Sequence, residues 1–323
     1  MKAINMMSDR EAMGLTAVFQ ASRADHLEEA YKVLKNSDIN HLVDTLSSIE
    51  APFEVRLAAG QLLALQGDPR IKTLEPVMCD IPAANATMGI DENKVDAIVK
   101  WYESVGVIRD WILKETPAHP ANLSAFRIRK YLVTNKEYRD FLQETAYEGL
   151  PSSWEFGIYP ANKANHPVYT IHERDAEAYA AWLSEKTDRQ FCLPTEAQWE
   201  YAASGPAHNK FPWGDEEKPD HANTVEEQIF SSTPVGVFPK GDSPFGLSDM
   251  AGNVEEYTAD DYAAYPNGSK INDDLLVSEK QYRVCRGGSF TRYADLARCA
   301  RRHGRYNKSI YVIGFRLVEI INN

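Results

Sequence analysis

Residues 243–262 read SPFGLSDMAGNVEEYTADDY. Asp249 and Glu256 stand seven residues apart around Gly252, so a turn at the glycine can offer two carboxylates and intervening backbone carbonyls to one point. Oxygen donors of that kind suit a hard cation. On both sides of this stretch the apolar runs are short, aromatic residues are frequent and Gly and Pro recur, so segments 211–257 and 282–318 read as turns and short strands. From residue 75 onward the texture is that of a loop-rich α+β domain rather than of alternating βαβ units. Such loops need aromatic packing, hydrogen-bond networks or bound cations to hold them. Trp199, Tyr201, Trp213, Phe245 and Tyr257 supply large area with few rotatable bonds.

Three helices stand out against this background. Asn135–Gln143 follows Thr134 as a cap, Glu173–Lys186 puts Ala176, Tyr179, Ala180 and Leu183 on one face, and Thr195 with Gln198 forms a capping box after Pro194. Residues 1–74 differ in texture. The stretch 24–46 carries apolar residues at helical spacing, and a second run starts at Pro52, carries Val55, Leu57, Leu62, Leu63 and Leu65, and ends at Gly67 with Pro69 beyond. This second run resembles one helix of a HEAT-type repeat, and a lone repeat cannot bury its apolar face. The segment is therefore expected to dock on the domain spanning 75–323, or on a partner.

Bulk composition narrows the class. The chain has 323 residues, 43% hydrophobic and 25% charged, which is ordinary globular composition. With 35 basic against 47 acidic residues the net charge is −12, which argues against a general nucleic-acid or anionic-membrane binder. No apolar run approaches the roughly 20 residues of a membrane span, and the N-terminus lacks the apolar stretch of a secretory signal, so a soluble, cytoplasmic protein is expected. Cys79, Cys192, Cys285 and Cys299 are far apart, without CxxC spacing, and read as reduced.

The strings CDIPAANATMGI, VTNKEYRDFL, HPVYTI, DAEAYAAWLSEKT, FCLPTEAQWEYAASG, FPWGDE, HANT, TPVGVFP, the quoted 243–262 stretch, RGGSF and GFRLV occur in that order. Taken together they resemble the formylglycine-generating enzyme, or sulfatase-modifying factor, family across about residues 75–320. The resemblance implies a C-type-lectin-like α+β fold. It also implies a structural calcium held by Asp249, the carbonyls of Gly252 and Val254, and Glu256. A second family calcium loop would begin at Asn223, but HANTVEEQIFSSTPVG is shortened there and that site is not expected. The family's copper chemistry needs two closely spaced cysteines just after the GGS motif, because soft thiolates suit Cu(I). Here Arg292 stands at the first position, no cysteine follows until Cys299, and the family tryptophan beside the cleft is replaced by Glu255. The sulfoxide synthases of the same family hold iron with histidines at HxxxH spacing. No two of the eight histidines here are four apart, although His166 and His172 are six apart.

What remains is the segment after Ser289. From Tyr282 to Arg316 eight arginines and one lysine face one acid, Asp295, and Tyr293, Tyr306 and Tyr311 interleave with Arg292, Arg302 and Arg305. Planar donors beside rigid amphipathic rings are the residue types of binding hot spots. Arg286, Arg298, Arg301 and Arg316 read as framework ties, leaving Arg292, Tyr293, Asp295, His303, Arg305, Tyr306, Asn307 and Tyr311 as the expected ligand-binding set. Of the 22 residues from Thr291 to Val312 only Lys308 belongs to the set Trp, Gln, Met, Lys and Glu, which pyrimidine-ending codons cannot encode, where average usage gives roughly four. Variable proteins of diversity-generating retroelements are similar in this respect and end in a similar RGGS…GFRLV region. The expectation is thus a module binding a protein or small-molecule ligand. The alternative is an oxygen-dependent metallo-oxidoreductase with an altered copper or iron site, drawing on His166, His172 or Cys299.

Overall fold

The computed structural model describes residues 7–321; the first six residues of the helical segment lie outside the described residues. Helix α1 (Asp9–Ala12) is followed by α2 (Glu28–Leu34), α3 (Ile39–Ser47) and α4 (Phe53–Gln66). The apolar run at 24–46 is thus two helices. Asp38 breaks it by accepting from the His41 N–H at 2.8 Å, which starts α3 with a side-chain cap. Helix α4 begins after Pro52 and stops at Gly67, whose φ of 96° only glycine adopts easily.

These helices pack on the larger domain. Phe53, Leu57 and Leu63 share an apolar cluster with Ile229, Val237 and Phe238, and the rings of Phe53 and Phe238 lie 5.4 Å apart. Leu65, expected on an apolar face, points outward instead. At the seam Arg56 is fully buried, donating Nε to Val237 O at 2.8 Å and pairing with Asp220.

Helices α5 (Val95–Trp101) and α6 (Arg109–Leu113) precede α7 (Asn135–Thr145), α8 (Glu173–Thr187), α9 (Glu196–Ser204) and α10 (Asp274–Glu279). The three expected helices are all present, two of them opened by capping boxes at Thr134–Glu137 and Thr195–Gln198.

The strands are short: β1 (Met78–Ile81), β2 (Ala84–Met88), β3 (His119–Leu123), β4 (Phe126–Arg129), β5 (Phe191–Cys192), β6 (Glu255–Asp261), β7 (Arg283–Arg286), β8 (His303–Gly304), β9 (Ile313–Gly314) and β10 (Val318–Ile320). One sheet has the order β1-β4-β10-β5, so the last strand lies between β4 and β5. A second sheet, β8-β7-β6-β9, carries the segments singled out after Ser289, and β2 pairs with β3 alone.

This is the α+β architecture expected, and buried ion pairs do much of the tying that long ladders would do elsewhere. Arg286 binds Glu196 and Glu200, Arg298 binds Glu115, and Arg316 binds both oxygens of Glu256 at 2.6 and 2.8 Å. Arg302, read from sequence as freer, is another such tie: it is buried and bidentate on Glu196. Removing one partner of a buried pair typically costs about 3–5 kcal/mol, so these ties fix the loops. No helix among the described residues is long and apolar enough to cross a membrane.

Candidate functional site

The turn after β7 sets the site. Gly287 and Gly288 have φ of 96° and 68°, and a Cβ on Gly288 would come within 2.9 Å of the backbone at Leu296 and Ala297. The chain therefore folds back tightly on itself, a close approach that only glycine permits. Thr291 Oγ1 donates to Ile310 O at 2.7 Å, Phe290 N donates to Asn253 O, and Arg292 O accepts from Val225 N. Arg292 is thus held by three loops that no regular sheet joins.

Side chains stack at this point. The Arg292 guanidinium carbon lies 4.2 Å from the centre of the Tyr311 ring, and Tyr311 stacks on His303 with centroids 5.2 Å apart and planes 16° from parallel. His303 Nδ1 meets Glu255 Oε2 at 2.7 Å. Glu255 begins β6 and His303 lies on β8, so the contact spans β7. Burial holds the His303 pKa below its ordinary value, with Glu255 opposing the shift, and it pushes Tyr311 up to about 12.

A narrow cavity of about 30 Å³ lies beside this stack. Its floor includes Arg292, Tyr293, Asp295, His303 and Tyr311, five of the eight residues chosen from sequence. Its cover comes from the α5–α6 connection and α6 (Val105, Val107, Trp111), Lys114 just after it, and Asp273, Asp274 and Leu275 at the start of α10. The two covers are joined by a buried Lys114–Asp273 ion pair of 2.5 Å and by Trp111 Nε1 donating to Asp274 at 2.9 Å. Within the wall Asp295 faces Arg301 at 3.5 Å, and burial raises its carboxyl pKa.

Arg292 differs from every other cation in that wall. It is buried, it makes no ion pair among the described residues, and its Nε and Nη2 have no hydrogen-bond partner. Sequence alone could not find this, because the partners absent from Arg292 are visible only in three dimensions.

The other expected residues fall elsewhere. Arg305 and Asn307 line a separate groove with His172, Glu173 and Arg283, and Arg305 donates to His172 Nδ1 at 2.7 Å. Tyr306 packs against Tyr311, 5.9 Å between centroids, and bridges the two places.

The donors for a redox metal are not brought together. Strands β7 and β8 do pair, but Cys285 lies opposite His303, whereas Cys299 belongs to a different apolar cluster with Trp199 and Met250. Burial raises both thiols well above their usual range, which disfavours thiolate ligation. His166 is buried against Ser232 Oγ, and His172 is engaged by Arg305. Among the described residues no group of three or more His, Cys, Asp or Glu side chains is placed to hold a metal ion. Copper or iron therefore does not fit these side chains.

The residues named for calcium sit in a buried turn. Asp249 Oδ2 accepts from Gly236 N at 2.8 Å, and burial raises its carboxyl to about 6. Glu256 is ringed by Arg316 and by Trp199 Nε1 at 3.0 Å. A cation held by Asp249, Gly252, Val254 and Glu256 would share Glu256 with that guanidinium.

A family model described as the sulfatase-modifying factor enzyme 1-like domain matches residues 66–321. The chain belongs to this family. Within the sulfatase-modifying factor family, it is 32% identical over 209 residues to a hercynine oxygenase of Mycobacterium tuberculosis, covering 54% of this chain and 48% of that one. It thus spans about half the length of that relative. Among solved structures, PvdO from Pseudomonas aeruginosa superposes with a TM-score of 0.59 at 26% identity, over 78% of this chain and 97% of that one. The variable protein 1 of Treponema denticola superposes with a TM-score of 0.54 at 21% identity, over 75% of this chain and 94% of that one, a likeness of fold.

Proposed function

We propose that this chain is a ligand-binding module on the sulfatase-modifying factor scaffold, recognising its target through the surface built by residues 289–312. The observation that carries this reading is the convergence of Arg292, Tyr293, Asp295, His303 and Tyr311 on one cavity beside the glycine turn. Rigid aromatic rings and a buried guanidinium are suited to recognition, where few ordering costs are left to meet on binding. Arg305, Tyr306 and Asn307 extend the surface toward the neighbouring groove. Diversification of this segment is part of the reading, supported by its codon-restricted composition and by the fold it shares with a variable protein.

The test is metal analysis of protein purified without chelator, together with comparison of sibling sequences. Well under one equivalent of copper or iron, with variation concentrated at the eight expected positions, is the outcome this reading requires. Stoichiometric copper or iron, or strict invariance at those positions, overturns it.

A second reading, an oxygen-dependent metallo-oxidoreductase, is favoured by the likeness to the hercynine oxygenase. It requires donors to come together that stand apart here, and the same metal analysis decides it.

A further inference from the structure

We propose that the Arg292 cavity is a receptor for a single carboxylate group, taken bidentate on the Nε and Nη2 edge of the guanidinium; this rests on reading the 289–312 surface as a ligand-binding site.

The two donors without partners are the pair that matters. In a planar guanidinium Nε–H and one Nη2–H lie parallel along one edge, matched in spacing to the two oxygens of a carboxylate. At three other arginines of this chain a carboxylate fills that edge. Arg302 gives it to Glu196 at 2.8 and 2.6 Å, Arg316 to Glu256 at 2.6 and 2.8 Å, and Arg189 to Glu319 at 2.8 and 2.6 Å. Arg292 is only 3% exposed, yet its edge faces no carboxylate. Burying a charged donor pair without acceptors is costly, so an acceptor from outside the chain relieves a defect that already exists.

The wall favours a small charge on the guest. Lys114 is paired with Asp273 and Arg301 with Asp295, whereas Arg292 makes no ion pair among the described residues and keeps two donors without acceptors. Asp273, Asp274 and Asp295 all line the cavity, so a phosphate dianion would meet more repulsion there than a singly charged carboxylate. The size agrees: about 30 Å³ admits a head group rather than a whole ligand.

The experiment titrates the full chain with acetate and formate, with chloride and phosphate as parallel arms at constant ionic strength. The readouts are the thermal midpoint and the NMR signal of the Arg292 Nε–H. Saturable shifts of both by the carboxylates, weakened about tenfold or more in Arg292→Lys, are expected because lysine keeps the charge and loses the fork. The NMR readout on the wild-type chain stands even where the variant folds poorly. No saturable response to either carboxylate overturns the proposal, as does an unchanged response in Arg292→Lys. Tighter saturation by phosphate overturns the carboxylate assignment. Each of these failures leaves the metal content and sibling variation that test the recognition reading untouched, so the two are separable.

Discussion

The imidazole of His303 donates from Nδ1 to Glu255 Oε2 at 2.7 Å, across an intervening strand. A carboxylate only accepts, so the proton on this edge belongs to the ring. Burial lowers the His303 pKa and Glu255 pulls it back up. Glu255→Gln keeps the shape and removes that pull, so the ring should titrate lower still. An NMR titration of the ring reads this directly; a midpoint equal to or above that of the wild type would show that Glu255 does not set the charge of His303.

This pairing also marks where sequence reading stops. The capped helices α7 and α9 were legible because Thr134–Glu137 and Thr195–Gln198 are local signals, complete within four residues. The break between α2 and α3 escaped notice because a single capping side chain, Asp38, outweighed an unbroken apolar period. The site was legible in part, since Arg292, Tyr293, Asp295, His303 and Tyr311 share a composition that stands out. Glu255 lies 48 residues from His303 and was visible only as a lost tryptophan. Arg302 was misread because its partner Glu196 is 106 residues away, and no spacing rule connects them.

Docking of the N-terminal helices has a narrow point at Gly60. A Cβ there would stand 2.6 Å from Leu46 Cδ1 and 2.8 Å from Pro234, so α3 on one side and the domain on the other leave no room. Asn165 also donates to the Gly60 carbonyl at 2.9 Å. Gly60→Ala should lower stability by about 1–3 kcal/mol, the usual cost of overpacking, despite the better helix propensity of alanine. Urea denaturation measures it. A stabilised variant would mean that the helices do not rest on Pro234 in solution.

A structural calcium held by Asp249, Gly252, Val254 and Glu256 is expected to raise the thermal midpoint in calcium over that in EGTA, because binding to the folded state alone stabilises it. Asp249→Ala should abolish the difference between the two buffers. Equal midpoints for the wild type in calcium and in EGTA would leave Arg316 as the sole counter-charge of Glu256.

His166 gives the chain a dependence on acidity with a defined sign. Its ring is buried, Nδ1 lies 3.0 Å from Ser232 Oγ, Nε2 has no partner, and burial together with Lys163 lowers its pKa to about 3. The free side chain titrates at about 6.5, so above that pH the ring is neutral in both folded and unfolded chains and its protonation does not affect stability. Between about 6.5 and 3 the unfolded chain takes a proton that the folded chain refuses, so stability falls as pH drops, by about 1.4 kcal/mol per unit. Asn can replace the Nδ1 contact without titrating. His166→Asn should therefore be less stable than the wild type at pH 7, and the gap should narrow by about 2 kcal/mol by pH 5. Denaturant unfolding at the two pH values decides the matter: a gap that stays constant would show that His166 accepts its proton in the folded protein.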